Sequence, residues 1–206
     1  MKTNPRRQYF NDLAAQWDTF PAAPDAAARM RDFVERAGAC GAHRILDVGC
    51  GTGVLLPYVL ASYGKASCLV ECDLAEAMLR VNATKLAGGS IQHVCADIQA
   101  MPFADSCFDL ILCFGVLPHL DDKAAALGQM LRILRPRGII CVGHLMGSGT
   151  LNEFHRGLGG PVASDSLPPA DVLAETIRDL GAAQICAEED HHWYFVRAVK
   201  AAQPIF

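Results

Sequence analysis

The chain has 206 residues, 51 % of them hydrophobic, which suits one large α/β domain with a filled core and gives no reason to expect a second domain. A net charge of −4 with 19 % charged residues supplies no basic field, so nucleic acid is not an expected partner. No apolar run reaches the length of a membrane span, and the opening MKTNPRRQYFNDL lacks a signal-peptide core, so a cytoplasmic protein with no membrane partner is expected.

Residues 6–20 place Tyr9, Phe10, Leu13 and Trp17 at helical spacing, which predicts a helix with one aromatic face. That face either covers the core or caps a pocket. A second helix is expected over about 25–38, ended by Gly38 and Gly41. Next comes ILDVGCGTG, residues 45–53. Ile45, Leu46 and Val48 read as a strand buried on both faces, and Gly49, Gly51 and Gly53 follow as a turn. The apolar run VLLPYVLASY predicts a helix over about 53–63. Strand, glycine turn and helix start together make a nucleotide cradle, because glycines let the backbone approach a ligand and free N–H groups favour anions. Asp47 stands at the strand's carboxyl end, where open α/β sheets hold ligands. Cys50 lies inside the turn, nearest of the nine cysteines to such a ligand. Cys68, Cys72, Cys95, Cys113 and Cys141 lie in apolar, strand-like segments without a C-x-x-C pair, so they are expected as reduced core residues. A dinucleotide fingerprint would place glycine where Val54 stands, which disfavours a nicotinamide dehydrogenase.

The second strand is expected over 66–72 and ends at Asp73, an acid placed to accept from ribose hydroxyls. A helix follows over about 75–87, then Gly88 and Gly89, then a strand over 90–97 ending at Asp97. Asp97 can accept from the exocyclic amine of adenine with Ile98 on the ring face, or it can merely cap the following turn. A fourth strand is expected over 108–114, a helix over 121–134 stopped by Pro136 and Gly138, and a fifth strand over 139–143. The tail predicts a short helix and a Gly/Pro-rich loop, a helix over 169–180 stopped by Gly181, and strands over 183–188 and 193–199 joined by EDHH.

The acidic-x-Gly-x-Gly-x-Gly run of Asp47, Gly49, Gly51 and Gly53 resembles the first motif of class I S-adenosylmethionine-dependent methyltransferases. DLAEAML resembles their D-x-S-x-x-M-L run, with Ala75 where serine is usual, a change that removes a helix N-cap. The segment from MPFADSCFD to LRPRG is similar to the ubiquinone and menaquinone methyltransferase group. The resemblance covers 43–145. It implies a Rossmann-like doubly wound, mostly parallel seven-stranded α/β sheet with a C-terminal antiparallel hairpin and N-terminal capping helices. It divides one domain into a cap over 1–40, a cofactor-binding core over 43–145, and a substrate-side insert with hairpin over 146–206.

The implied cofactor is S-adenosylmethionine. Asp47, Gly49, Gly51 and Gly53 would hold its methionine end, Asp73 the ribose, and Asp97 with Ile98 the adenine, with Cys50, Leu74 and Met78 also counted among the cofactor-binding residues. Phe114 at the fourth strand's end would border the same pocket, and Tyr9 and Trp17 would cap it, since aromatic planes attract a sulfonium. The implied partner is a small-molecule methyl acceptor, the protein acting as monomer or homodimer. A rival is a non-catalytic S-adenosylmethionine-binding sensor or assembly protein.

Methyl transfer needs a base only when the acceptor must lose a proton. His119, His144 and His155 are the catalytic candidates, because the first two follow strands at the carboxyl edge and the third lies on the next helix. They could supply a base, hold an anionic substrate, bind a metal, or simply fix their loops. No H-x-x-x-H or H-E-x-x-H spacing occurs, so no dedicated metal site is expected. Asn152, Arg156 and Asp165 are further polar candidates in the tail, and His191, His192 and Trp193 are candidates for the pocket rim.

Overall fold

A computed structural model describes residues 4–64, 66–85 and 91–202. Seven strands, β1 (Arg44–Val48), β2 (Cys68–Asp73), β3 (Ile91–Cys95), β4 (Phe108–Phe114), β5 (Leu134–His144), β6 (Ala182–Asp190) and β7 (Trp193–Lys200), form one sheet in the order 3-2-1-4-5-7-6. The first five are parallel, and β6 and β7 are antiparallel to their neighbours. The mostly parallel sheet with a C-terminal hairpin is the architecture the motif order implied.

Central strands need side chains that tolerate burial on both faces, and six of the seven residues of FDLILCF are buried. The buried charge among them, Asp109, accepts from the backbone N–H groups of His43 (2.6 Å) and Arg44 (3.0 Å), and pairs with Arg135 at 2.8 Å. It therefore clamps the start of β1 to β4. On one face, helices α2 (Ala26–Arg36) and α3 (Leu56–Tyr63) bury Phe33, Val34, Leu55, Leu56 and Val59 against Ile45, Leu110 and Leu112. On the other, α5 (Lys123–Ile133) and α7 (Ala170–Asp179) cover Leu46, Val48, Ile111 and Val142. Helix α4 (Glu76–Thr84) packs on β2 and β3, and α6 (Ser148–Leu158) follows β5. None of the described helices is long and apolar enough to cross a membrane.

Several boundaries differ from the sequence-based expectation, each for a local reason. The segment 6–20 is not one helix: α1 (Pro5–Leu13) tightens into a 3-10 turn, Ala14–Thr19, whose tighter winding brings Asp18 to Thr52. Helix α3 starts three residues late, because Gly49, Gly51 and Gly53 all hold positive φ and Pro57 supplies the first turn. Pro136 and Gly138 do not stop α5; Leu134 is already extended and pairs with Phe108. The two residues instead lie in a kinked stretch of β5, where Arg137 has φ 64° and the register shifts. The C-terminal strands reach further than expected, leaving only His191 and His192 in the turn, while α6 spans 11 residues rather than a short helix. The expected helix end at 86–87, Gly88, Gly89 and the first residue of the third strand, Ser90, lie outside the described residues.

Candidate active site

Because β1 to β5 run in parallel, every segment that leaves their carboxyl ends meets at one edge of the sheet. The glycine turn is tied to β2 by the N–H groups of Gly49 and Cys50, which donate to the Cys72 carbonyl at 2.6 and 3.1 Å. A Cβ on Gly49 would collide with a Val116 methyl, and one on Gly53 would lie 2.8 Å from Asn82. On Gly51, with φ +53°, a Cβ would meet nothing within 4 Å, so here the backbone faces open space. The Gly51 N–H donates to one Asp73 oxygen at 2.9 Å and the Ala75 N–H to the other at 2.7 Å. A carboxylate has about four acceptor positions, so the fixed Asp73 keeps capacity for two hydroxyls. Burial raises its pKa, and the Ala75 and Gly51 N–H groups oppose that rise.

Beneath the turn lies an acid pair. Register opposes Asp47 on β1 to Glu71 on β2, which puts both side chains on the same face, and both are buried. Asp47 Oδ2 and Glu71 Oε1 have no partner, whereas Glu71 Oε2 accepts from the Asn82 amide at 2.8 Å. The Asn82 oxygen meets His93 Nε2 at 3.2 Å. Burial, then the charges of Glu71 and Asp73, drive the Asp47 pKa well above the usual carboxylate range, and burial lifts Glu71 to about 7. Burial also pushes the Cys50 thiol strongly upward, so Cys50 is an inert thiol in the floor of the turn. Glu71, Asn82 and His93 were not singled out from the sequence. The available signal was a lone charge in the apolar run ASCLVEC, placed by period two on the same face as Asp73.

Asp97 follows β3, and one oxygen accepts from the Gln99 N–H at 2.9 Å, so it does cap the 3-10 turn Ile98–Ala100. Ile98 is buried. Half-buried Leu74 accepts from the Cys95 thiol through its carbonyl. Met78 is buried with Ala14 and Ala75 and flanked by Phe10 and Trp17. Phe114 is half-buried and packs on Phe33, ring centroids 4.8 Å apart.

The N-terminal segment lies over this edge. Phe10 meets Tyr9 at 5.3 Å, Trp17 at 5.7 Å and His119 at 5.0 Å, all edge-on. The Thr52 hydroxyl donates to Asp18 at 2.6 Å, and Lys85 pairs with the other Asp18 oxygen at 2.6 Å. Asn11 accepts from the Ala77 N–H at 2.9 Å, so α4 receives from α1 the cap that Ala75 cannot give.

His119 ends the 3-10 turn Leu117–His119, His144 is the last residue of β5, and His155 lies on α6. His119 Nδ1 is 2.6 Å from Asp165 Oδ2, and Asp165 Oδ1 accepts from Arg6 Nε (2.8 Å) and Nη2 (2.6 Å). Burial works to raise Asp165, but the bonds from His119 and Arg6 outweigh it and hold its pKa below the usual value. His155 is buried with Nδ1 3.2 Å from the Asp165 carbonyl, and its ring lies 5.2 Å from that of His119. Burial lowers the His155 pKa. Burial also takes His144 down to about 4, helped by His119 and His155, and its Nδ1 accepts from the Met146 N–H at 3.0 Å. That bond assigns the His144 proton to Nε2.

The other tail candidates have structural partners. Asn152 clamps both backbone groups of Leu167, and Arg156 donates to the Asn152 carbonyl. His191 and His192 occupy the exposed hairpin tip; their carbonyls accept from Gly147 N–H and Arg29, while Trp193 stacks on Phe195. Among the described residues, no group of three His, Cys, Asp or Glu side chains is arranged to hold a metal ion.

A methyltransferase domain model matches residues 46–142, the stretch from β1 to the end of β5 that carries the glycine turn and the strand-end acids. Over 195 residues the chain is 31 % identical to the ubiquinone/menaquinone biosynthesis C-methyltransferase UbiE of Idiomarina loihiensis, covering 86 % of this chain and 77 % of that protein. The chain belongs to the class I S-adenosylmethionine-dependent methyltransferases. The UbiE of Saccharophagus degradans is 35 % identical over 141 residues, 65 % of this chain, and the chain spans 56 % of that relative's length. A solved methyltransferase shares the fold: phosphoethanolamine N-methyltransferase 2 of Haemonchus contortus, in complex with S-adenosyl-L-methionine. It matches with a TM-score of 0.71 at 16 % identity, over 84 % of this chain and 52 % of that one. S-adenosylmethionine is thus the family's cofactor, and the site suits it. Gly51 leaves open space beside Asp73, and the buried Asp47 keeps an oxygen without a protein partner.

Proposed function

We propose that the protein transfers the methyl group of S-adenosylmethionine to a small-molecule acceptor. The observation that carries this reading is the juxtaposition of the open face of Gly51, between Asp47 and Asp73, with three histidines at the same sheet edge. Asp47 and the turn of Gly49, Cys50, Gly51 and Gly53 hold the methionine end; Asp73 and Leu74 take the ribose; Asp97 and Ile98 take the adenine. Met78, Phe114, Tyr9 and Trp17 enclose the cofactor, with Phe10 between the last two and His119. The sulfonium supplies the activated methyl group, so the chain has chiefly to align the acceptor and exclude water. Residues 4–40 and 144–165 shape the acceptor pocket, with His119, His144 and His155 on its wall. The protein works as a cytoplasmic monomer or homodimer, without nucleic acid, membrane or metal. A quinone is not assigned as acceptor, since the chain spans only part of the UbiE of Saccharophagus degradans.

Calorimetric titration with S-adenosylmethionine, S-adenosylhomocysteine and NAD in parallel tests the reading. Binding of both sulfur nucleosides but not NAD is expected. Binding of NAD alone, or of none, overturns it. Asp73→Ala is expected to weaken S-adenosylmethionine roughly hundredfold, because two hydrogen bonds to a carboxylate are lost; unchanged affinity would remove Asp73 from the site.

A further inference from the structure

The geometry points to His119 as a general base whose orientation is set by Asp165, with Arg6 of α1 anchoring Asp165 in that arrangement. The inference rests on the methyl-transfer reading and deepens it. Asp165 is 4 % exposed and its two oxygens serve different elements: Oδ2 takes His119 Nδ1 at 2.6 Å, and Oδ1 takes Arg6 of α1 through two bonds of 2.8 and 2.6 Å. A carboxylate on Nδ1 requires the proton there, which leaves the Nε2 lone pair to accept. His119 also touches Phe10 of the N-terminal segment, whose ring in turn meets Trp17. The surrounding groups are placed elsewhere: His155 Nδ1 is on the Asp165 carbonyl, the Lys123 ammonium donates to Leu120, and Asp121 pairs with Arg6.

Such a base is useful only for an acceptor that surrenders a proton, a hydroxyl or an acidic carbon. The acceptor's lone pair takes the methyl group, its proton passes to His119 Nε2 and then to solvent, and the sulfur keeps the electron pair of the broken S–C bond as S-adenosylhomocysteine. Asp165 and Arg6 act through His119 and are positioning residues.

Nitrogen NMR of histidine-labelled protein at pH 8 tests this, with His119→Gln assigning the resonance and S-adenosylhomocysteine as the bound probe. The expected result is a neutral His119 protonated at Nδ1. Asp165→Asn should move the tautomer ratio toward Nε2 protonation by roughly tenfold, and Arg6→Gln in the same direction by less, as expected for weakening a charge-assisted bond. A His119 protonated at Nε2, or at both nitrogens, in the wild type overturns the inference, as does an Asp165→Asn tautomer equal to wild type. Arg6→Gln keeps the test open if Asp165→Asn does not fold, and an unchanged tautomer there overturns the part given to Arg6. Calorimetry on the same wild-type sample separates the two readings: no S-adenosylhomocysteine binding defeats the methyl-transfer reading, and binding with the wrong tautomer defeats only the base.

Discussion

Gly49 and Gly51 stand two positions apart in one turn, yet the fold constrains them differently. Gly49 is fixed by Val116, whose methyl would overlap any Cβ, whereas Gly51 has open space on that side. A side chain at Gly51 meets only the backbone penalty of positive φ, about 1–2 kcal/mol. Gly51→Ala should therefore remain folded, with a melting temperature lower by about 2–8 °C, and lose at least tenfold in S-adenosylmethionine affinity by calorimetry, because its methyl fills the approach to the backbone. Equal affinity would show that the ligand does not lie there. Glu71 gives a pH signature. Its folded pKa of about 7 lies above the ordinary 4.5, so the native state holds the extra proton between these values. Its contribution to stability is present below pH 4.5 and lost as pH rises through 7, by at most about 3 kcal/mol. His144, lowered from 6.5 to about 4, acts in the opposite sense, its contribution being lost as pH falls through that window. The wild-type profile mixes the two, so the comparison belongs with Glu71→Gln. The stability of that variant relative to wild type, from urea midpoints, should increase steadily between pH 4.5 and 8. A constant difference would show that Glu71 is charged in the fold. At this scale Asp47, Asp73 and Asp97 were legible because each lies at or just beyond the carboxyl end of a strand. Glu71 was not, because only the register of β1 on β2 reveals that it faces Asp47.

At the scale of elements, α1 is held without a single fully buried residue of its own. Besides Phe10 packed beside Met78 and His119, its hold comes from polar bonds that reach other elements: Arg6 to Asp165, Asn11 to Ala77, and Asp18, in the turn that follows, to Thr52. The sequence showed the aromatic face but not these bonds, since their partners lie 34 to 159 positions away. The missing serine at Ala75 is made good by Asn11 from another helix. Asn11→Ala should therefore destabilise the protein by about 1 kcal/mol, seen as a melting temperature about 2–4 °C lower, whereas Asn4→Ala, removing an exposed cap, should have a smaller effect. Equal effects would mean that the Asn11 contact adds nothing to an ordinary surface cap. The joint between α5 and β5 was misread for a related reason. Pro136 and Gly138 are helix terminators by local rule, but pairing of Leu134 with Phe108 draws the chain into the sheet before either is reached.

At the scale of the molecule, parallel pairing gathers on one edge groups that the chain scatters over 118 positions, from Asp47 to Asp165. Ligand that binds only this assembled edge must stabilise the whole fold. S-adenosylhomocysteine at a hundred times its dissociation constant should add about 2.7 kcal/mol, raising the melting temperature by about 5–10 °C, and NAD at the same concentration should add nothing. A shift from NAD would contradict the glycine spacing as read, in which Val54 stands where a dinucleotide site needs glycine.

The sequence by itself determined the order of strands and helices, the glycine turn and the three acids at the strand ends, because each rests on periodicity or on spacing within a few residues, and the resemblance of its motifs to known methyltransferases pointed to the family. Only the tertiary structure decided which polar groups meet. Nothing local to Asp165 tells that it joins Arg6 to His119, and nothing local to Glu71 tells that it faces Asp47. Such pairings depend on strand register and on where the N-terminal segment comes to rest, and both are set by burying distant apolar faces together.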